Sequence, residues 1–156
     1  MAATGQLYGR LRAVSRGRCH RPLSDEQRQL LAVCDLRQAV NSGGFDSYLR
    51  FWGADTAPDA LAIVDGALGE PWRQVLVEAL DIFGTANPST ADERAEVLDD
   101  ASEADDVLGM LDERFYELEG SQDADAALGQ RAEALSPWPD AGTPSPKRRF
   151  WGRKSD

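Results

Sequence analysis

The sequence predicts an all-α fold, a compact bundle of about six or seven short helices with disordered N- and C-terminal tails. Apolar residues recur at helical spacing in successive segments, glycine, proline and capping residues separate those segments, and no segment alternates in the manner of a β-strand. We expect a disordered basic segment at 1–21, an acidic helical domain at 22–135, and a proline-rich linker with a basic tail at 136–156.

The first two predicted helices meet at a pair of glycines. Ser24 with Gln27 forms a capping box that opens a helix running to Asn41. Gly43 suits the left-handed position that ends a helix. A short second helix follows, because apolar residues recur there at positions i, i+3, i+4 and i+7, namely Phe45, Tyr48, Leu49 and Trp52.

The next two predicted helices complete the more apolar half of the domain. Thr56, followed closely by a proline, opens the third helix, which stops near Gly69. Pro71 begins the fourth helix at a first-turn position, and Gly84 closes it. The fourth helix has the clearest core-facing stripe, which consists of Trp72, Val75, Leu76, Ala79, Leu80 and Phe83.

The sequence of the second half of the domain predicts helices with acidic surfaces. A turn at 87–90 caps a helix over residues 91–101, Ser102 caps the next helix, and a weaker helix follows Ser121. The middle helix of these three has one apolar face, made of Val107, Leu108, Leu111, Phe115 and Leu118.

Charge is distributed unevenly along the chain. Residues 92–125 contain fourteen Asp or Glu and two basic residues, Arg94 and Arg114. Residues 1–21 contain five Arg and no acid, and the last ten residues contain five basic residues and one Asp. The chain is therefore an acidic body between two cationic ends, which indicates electrostatic recognition of a partner.

The spacing of these acids suggests a binding surface. Residues 92–119 span about 42 Å of helix path and include twelve acids, about one per 3.5 Å, against about 3.4 Å per charge on one DNA strand. The alternative interpretation is a solvated face that serves only solubility. The predicted partner-binding surface consists of Asp92, Glu93, Glu96, Asp99, Asp100, Glu103, Asp105 and Asp106.

Two motifs connect the chain to a known family. Residues 41–49 read Asn-Ser-Gly-Gly-Phe-Asp-Ser-Tyr-Leu, in which two glycines let the backbone reverse so that aromatic residues pack on the helix just left. Residues 111–116 read Leu-Asp-Glu-Arg-Phe-Tyr. In this order, within a helical chain, the motifs resemble those of the helical DNA mimic protein family. The residues that carry the resemblance are Asn41, Gly43, Gly44, Phe45, Tyr48, Leu111, Asp112, Phe115 and Tyr116.

This resemblance implies a small all-α domain, and one studied member of the family acts as an acidic dimer on the DNA-binding face of other proteins. The expected partner is a basic DNA-binding protein, either a regulator or a nucleoid protein, and a homodimer is the implied assembly. Direct nucleic acid binding by the folded domain is not expected. The rival hypothesis is a helical adaptor that binds through an apolar patch, with Phe51 and Trp52 as candidates and the acids serving only solubility.

The sequence offers little for catalysis or for a cofactor. The only histidine, His20, precedes the domain, which excludes a His-based triad in its core, and Cys19 beside it leaves a zinc site short of ligands. There is no phosphate-binding loop or dinucleotide motif, and Asp123 with Asp125 lacks the rest of a calcium loop. We therefore expect no enzyme activity, no cofactor and no metal site.

Composition also sets expectations about location and source. No apolar run approaches the ~18 residues of a membrane span, and no apolar signal stretch is present, so we expect a cytoplasmic protein without a span. Arginine outnumbers lysine fifteen to two, which is typical of a GC-rich bacterial genome. Residues 147–154 interleave basic and aromatic residues, which suits binding to an anionic partner or to the acidic helices of this chain. The alternative interpretation is a tail that only adds solubility.

Overall fold

The structure, a computed structural model, describes residues 22–51, 53–86 and 88–138. Over these residues six α-helices follow one another without a β-strand, which confirms the predicted fold class. The tails at 1–21 and from 139 onward, together with Trp52 and Asn87, lie outside the described residues. The helices are α1 (Asp25–Arg50), α2 (Ala57–Leu68), α3 (Glu70–Leu80), α4 (Ala91–Asp100), α5 (Ala104–Ser121) and α6 (Ala124–Ala134), with 3-10 turns at Gly53–Thr56 and Asp81–Phe83.

Helix α1 begins as the sequence predicts and then changes direction. Ser24 Oγ accepts a hydrogen bond from the Gln27 amide at 3.2 Å, and the Gln27 side chain accepts one from the Ser24 amide at 3.0 Å, so the capping box is present. The predicted break after Asn41 is confirmed to within a residue, because Gly43 and Gly44 leave helical geometry and the chain then resumes helical geometry to Arg50. Both helical segments are counted here as one kinked helix, α1.

Gly44, and not the predicted Gly43, takes the left-handed conformation. The angle φ is 71° at Gly44 and −160° at Gly43, and the second value is extended backbone that any residue adopts. A carboxylate of α5 also restricts this position, because a Cβ atom on Gly44 would lie 2.4 Å from Oδ2 of Asp112. Glycine is therefore required at Gly44 both by the backbone angle and by the approach of a carboxylate from another helix.

The core lies between α1, α2, α3 and α5 and centres on four buried aromatic residues. Phe115 of α5 makes edge-to-face contacts with Phe45 of α1, at 5.6 Å between ring centroids, and with Trp72 of α3, at 5.0 Å. Tyr48 is fully buried and makes an edge-to-face contact with Phe45 at 6.3 Å between ring centroids, and this burial raises the pKa of its hydroxyl. Phe45, just after the glycines, therefore packs on α5, and the packing of these aromatic residues against the helix just left stays a prediction.

The acidic residues are split between two helices rather than arranged along one. Thr90 and Glu93 form a capping box at the start of α4, but the chain leaves helical geometry at Ala101 before α5 begins. The residue that caps α5 is Glu103, without a side-chain hydrogen bond, so the predicted cap at Ser102 is wrong. The ten residues of α4 and the eighteen of α5 rise about 15 Å and 27 Å along two separate axes.

Residues 136–138, which the sequence assigns to the linker, lie against the domain. The Gln27 side chain donates to the carbonyl oxygens of Leu135 at 3.0 Å and Pro137 at 3.2 Å, and the Trp138 indole donates to the Ala132 carbonyl at 2.8 Å. The described chain therefore ends beside the first turn of α1. Among the described helices, none is both long enough and apolar enough to cross a bilayer.

Candidate acidic interface

All eight acids of the predicted partner-binding surface are exposed. In α4 their arrangement follows from helix geometry, since successive residues are rotated by about 100° and acids recur every one to three positions. The five acids of α4 fall within an arc of about 120°, directly opposite the two buried residues Arg94 and Leu98. Helix α4 therefore presents one carboxylate face to solvent, formed by Asp92, Glu93, Glu96, Asp99 and Asp100.

A buried arginine holds this face in place. Arg94 is 3% exposed, and its Nε donates to the Leu49 carbonyl at 2.8 Å. Its Nη1 pairs with Asp55 at 2.9 Å, and its Nη2 donates to the Phe51 carbonyl. The guanidinium thus satisfies carbonyl groups at the end of α1 that the helix itself leaves without partners. Because Leu98 is the only other buried residue of α4, Arg94 is the main attachment of this helix to the bundle.

The sequence did not predict this role of Arg94. The one local signal was its position four residues before Leu98, on the side of α4 away from the acids. A second contact supports the same attachment, since Arg50 Nη1 lies 2.8 Å from Asp99. Asp99 therefore belongs to the exposed acidic face and also neutralises a cation at the end of α1.

The break between α4 and α5 creates an acidic groove of about 530 Å³. Four carboxylates line the groove: Asp100 and Glu103 of the predicted surface, and Glu78 and Asp81 from the end of α3 and its 3-10 turn. The apolar part of the lining consists of Ile82, Ala101, Ala104 and Val107. Sequence reasoning missed Glu78 and Asp81 because they precede α4 and only the tertiary fold brings them to its C-terminal end. We call this feature the α3–α5 groove.

Helix α5 adds a second acidic strip. With the buried face of α5 as reference, Asp106, Glu113 and Glu117 lie within about 40° of one another on the opposite side. Glu113 and Glu117 are exposed, although the predicted surface stopped at Asp106. Asp105 is also exposed but lies about 100° away from Asp106, toward one flank. Exposed Met110 lies beside this strip with 59% of its surface accessible.

Other acids of α5 serve the scaffold instead. The Phe45 amide donates to Asp112 Oδ1 at 2.7 Å, and burial raises the pKa of the Asp112 carboxyl despite this hydrogen bond. Glu119 accepts from Arg37 at 2.6 Å and from the Asn41 amide group at 3.2 Å. The Tyr116 hydroxyl donates to the carbonyl of Val40 at 3.1 Å. The two motifs quoted from the sequence therefore contact each other across α1 and α5.

The fourteen acids of 92–125 divide into two groups. Six of them accept hydrogen bonds or form ion pairs within the domain: Glu93, Asp99, Asp112, Glu119, Asp123 and Asp125. The other eight have no hydrogen bond or ion pair with another described residue: Asp92, Glu96, Asp100, Glu103, Asp105, Asp106, Glu113 and Glu117. The second group is the one available to a partner.

The described arginines are already engaged. Six of the seven pair with carboxylates, and the seventh, Arg131, donates to the carbonyl of Gly66 at 3.3 Å. The described part of the chain contains no group of three or more His, Cys, Asp or Glu side chains placed to hold a metal ion. Burial raises the pKa of the Cys34 thiol to about 12, so the thiol stays protonated at neutral pH and is a poor nucleophile.

Comparison with known protein families gives a match over most of the chain. The family model described as DMP19-like protein matches residues 21–135, which is most of the chain and includes every helix described above. Neither the curated proteins nor the solved structures include a match to this chain.

Proposed function

The chain belongs to the DMP19-like protein family, and from this membership together with its exposed acids we propose that it is a non-enzymatic DNA mimic. Its carboxylates take the place of phosphates on the DNA-binding surface of a basic protein, either a regulator or a nucleoid protein. Membership of this family is compatible with DNA mimicry, and it agrees with the resemblance of the two motifs.

The observation that carries the proposal is the placement of the carboxylates of α4. Five acids occupy one solvent face over about 15 Å, or about one per 3 Å, near the ~3.4 Å that separates charges along one DNA strand. The helix fixes their relative positions before binding, so a partner does not have to order them. The strip of Asp106, Glu113 and Glu117 extends the acidic surface along a second axis.

The arrangement of counter-charges supports the same interpretation. Arginines within the domain neutralise acids of every region, but they leave most of the acids of α4 and α5 without an ion pair, with Asp99 and Glu119 as the exceptions. An uncompensated anionic face attracts cationic surfaces over about one Debye length, ~10 Å at 0.1 M salt. A homodimer, which the resemblance implies, would place two such faces on one particle. Sedimentation at micromolar concentrations tests this assembly.

A second candidate function rests on exposed apolar residues. Phe51 is 57% exposed, Met110 59% and Tyr116 45%, so the domain offers apolar side chains next to its acids. In the adaptor hypothesis these residues bind a partner and the acids only keep the protein soluble. The two hypotheses predict different salt dependence, because screening weakens charge contacts and leaves apolar contacts in place.

In the test, the full chain is immobilised and exposed to candidate basic proteins. The measured quantity is the amount of protein that the chain retains and that duplex DNA then elutes. Replacing Asp92, Glu96 and Asp100 with lysine should lower retention at least about tenfold, because these acids are exposed and bound to nothing in the domain. The matched control replaces Glu26, Asp65 and Glu133, which are equally exposed on other helices, and should change retention by less than about twofold.

The salt series completes this test. Retention should collapse between about 50 and 300 mM NaCl if charge dominates. Three results together would contradict mimicry and favour the adaptor. Retention would survive this salt range, duplex DNA would fail to reverse it, and replacement of Met110 by Ser would reduce it.

A further inference from the structure

The α3–α5 groove has the chemistry of a site for a basic and apolar segment. Of its four carboxylates, Glu78 alone has a cation among the described residues, Arg114. Asp81, Asp100 and Glu103 therefore repel one another across the groove. The apolar lining between them leaves uncovered surface that water solvates poorly. An occupant with positive charges and an apolar side chain relieves both conditions.

No described arginine can supply that occupant, since each is already paired or hydrogen-bonded elsewhere. The chain itself carries a suitable segment at 147–154, which reads Lys-Arg-Arg-Phe-Trp-Gly-Arg-Lys. Five of these eight residues are basic, and Phe150 and Trp151 lie between them. The charge and the apolar content of this segment are complementary to those of the groove.

The length of the connection is sufficient. The described chain ends at Trp138, which is fixed by its hydrogen bond to the Ala132 carbonyl. The thirteen steps from Trp138 to Trp151 begin with a proline-rich stretch and span about 40 Å at ~3.1 Å per residue for extended proline-rich chain. The longest straight helix of the domain, α5, is about 27 Å long. The connection is therefore longer than the longest straight helix of the domain, which allows the basic segment to reach other faces of the bundle.

We propose that residues 147–154 dock in the α3–α5 groove of their own chain. The arginines of the segment contact the four carboxylates, and Phe150 or Trp151 covers Ile82 and Val107. Because the segment is tethered, a weak intrinsic affinity is enough, since short linkers give effective concentrations in the millimolar range. Docking covers the end of the acidic surface where α4 meets α5. Competition between the segment and a basic partner rests on the proposed function, whereas docking itself does not.

The test compares amide NMR spectra of the full chain and of a full-length variant with Arg148→Glu, Arg149→Glu and Trp151→Ala. The expected result is a set of shift changes confined to the groove, at Ile82, 100–104 and Val107. The matched control, Arg10→Glu with Arg12→Glu in the other basic segment, should leave these resonances unchanged. Raising NaCl from about 50 to 300 mM should move the wild-type groove resonances toward those of the variant.

Groove variants make the assignment specific. With Asp81→Lys and Glu103→Lys, the tail substitutions should no longer shift the groove resonances. With Asp92→Lys and Glu133→Lys, which reverse as many exposed charges outside the groove, the tail substitutions should act as in the wild type.

Three outcomes overturn the proposal. The first is that the tail substitutions change no groove resonance. The second is that they shift the resonances of the whole outer face of α4 as strongly as those of the groove. The third is that the groove shifts depend on protein concentration over a tenfold dilution. The last outcome means that the segment of a second copy fills the groove. No partner is present in these spectra, so their failure leaves the retention experiment untouched, and loss of retention leaves docking untouched.

Discussion

Helices α1–α3 and helices α4–α5 use carboxylates in opposite ways. The first region, taken as residues 25–83 with both 3-10 turns, contains ten acids and four arginines, and six of the acids form ion pairs with described residues. The second region contains twelve acids and two arginines, and two of its acids, Asp99 and Glu119, form such pairs. In the first region charge holds helices together, whereas in the second it is left facing solvent.

The two regions also differ in how they are anchored. Helices α1–α3 bury most of the core, including Phe45, Tyr48 and Trp72. Helix α4 buries only Leu98 and Arg94. A helix with so little apolar surface to bury depends on specific contacts, because hydrophobic burial contributes little to its position. The acidic face is therefore held on the bundle by a few residues, and substitutions at those residues should loosen it.

The largest effect is expected at the kink of α1. Replacing Gly44 with Ala forces a left-handed residue to carry a Cβ that meets the Asp112 carboxylate at 2.4 Å. We expect a loss of about 2–4 kcal/mol in the free energy of unfolding, from backbone strain together with displacement of the partly buried carboxylate that accepts from the Phe45 amide. Urea unfolding measures it.

Gly109→Ala is the matched control for this substitution. Gly109 lies within α5, where nothing approaches within 4 Å of an added Cβ. Alanine there should stabilise the domain by about 0.5–1 kcal/mol through helix propensity. Equal effects of the two substitutions would show that the contact between Gly44 and Asp112 does not constrain the fold.

The second effect tests the anchoring of α4 directly. Replacing Arg94 with Met keeps an apolar stem but leaves two carbonyl groups and Asp55 without their donor. We expect the stability of α4 against local opening to fall by about 2–4 kcal/mol, with little change in α2 and α3. Hydrogen exchange resolved by helix measures this difference.

The control for Arg94 is a surface arginine with a comparable pair. Arg73 is half-exposed and lies 3.8 Å from Glu70, so Arg73→Met should change stability by less than about 0.5 kcal/mol. Uniform acceleration of exchange across all helices in the Arg94 variant would instead mean that α4 is part of one cooperative unit with the core.

The third expected effect is the change in stability when an acid is replaced by lysine, and its sign should differ between the two regions. Glu96 has four acidic neighbours at i±3 and i±4 within α4, namely Asp92, Glu93, Asp99 and Asp100. Glu96→Lys converts these repulsions into attractions and should raise stability by about 0.5–1 kcal/mol at low salt. Glu78→Lys in α3 removes the pair with Arg114 and should lower stability by a similar or smaller amount.

Thermal melting at two ionic strengths checks the third effect. Both differences should shrink at about 0.5 M NaCl, where screening is strong. If Glu96→Lys destabilises the domain at low salt, the acids of α4 are not crowded against one another, and the contrast between the regions fails.

What was predictable from the sequence depended on distance along the chain. Capping at Ser24 and Thr90, helix type and the exposure of the eight acids follow from residues within a few positions of one another. The lack of room for a side chain at Gly44 comes from Asp112, which is 68 positions away. The burial of Arg94 depends on carbonyl groups about 45 residues earlier, and periodicity contains no signal for such contacts. The α3–α5 groove depends on Asp81 meeting Glu103 for the same reason.

The smallest expected effect is on the pH dependence of the free energy of unfolding, which should differ between a scaffold acid and the solvent-facing acids. Burial raises the pKa of Asp112 in the folded state, so the folded protein binds its proton more readily than the unfolded chain does. Asp112 therefore adds stability as pH falls through its raised pKa, and this contribution is absent at neutral pH. Glu93 behaves in the opposite way, because hydrogen bonds from Ser89 and Thr90 lower its pKa and the stability from its cap is lost in acid below its usual range.

Asp112→Asn isolates the first contribution, since the amide oxygen still accepts from the Phe45 amide but no longer titrates. We expect the variant to differ from the wild type by less than about 1 kcal/mol at neutral pH, and the difference to shift in favour of the wild type as pH approaches about 4. Urea unfolding across this pH range measures it, with Asp106→Asn on the solvent face of α5 as the control that should show no such trend. Parallel pH profiles for the two variants would place Asp112 among the solvated acids, and the division between scaffold and surface carboxylates in α5 would then have no energetic basis.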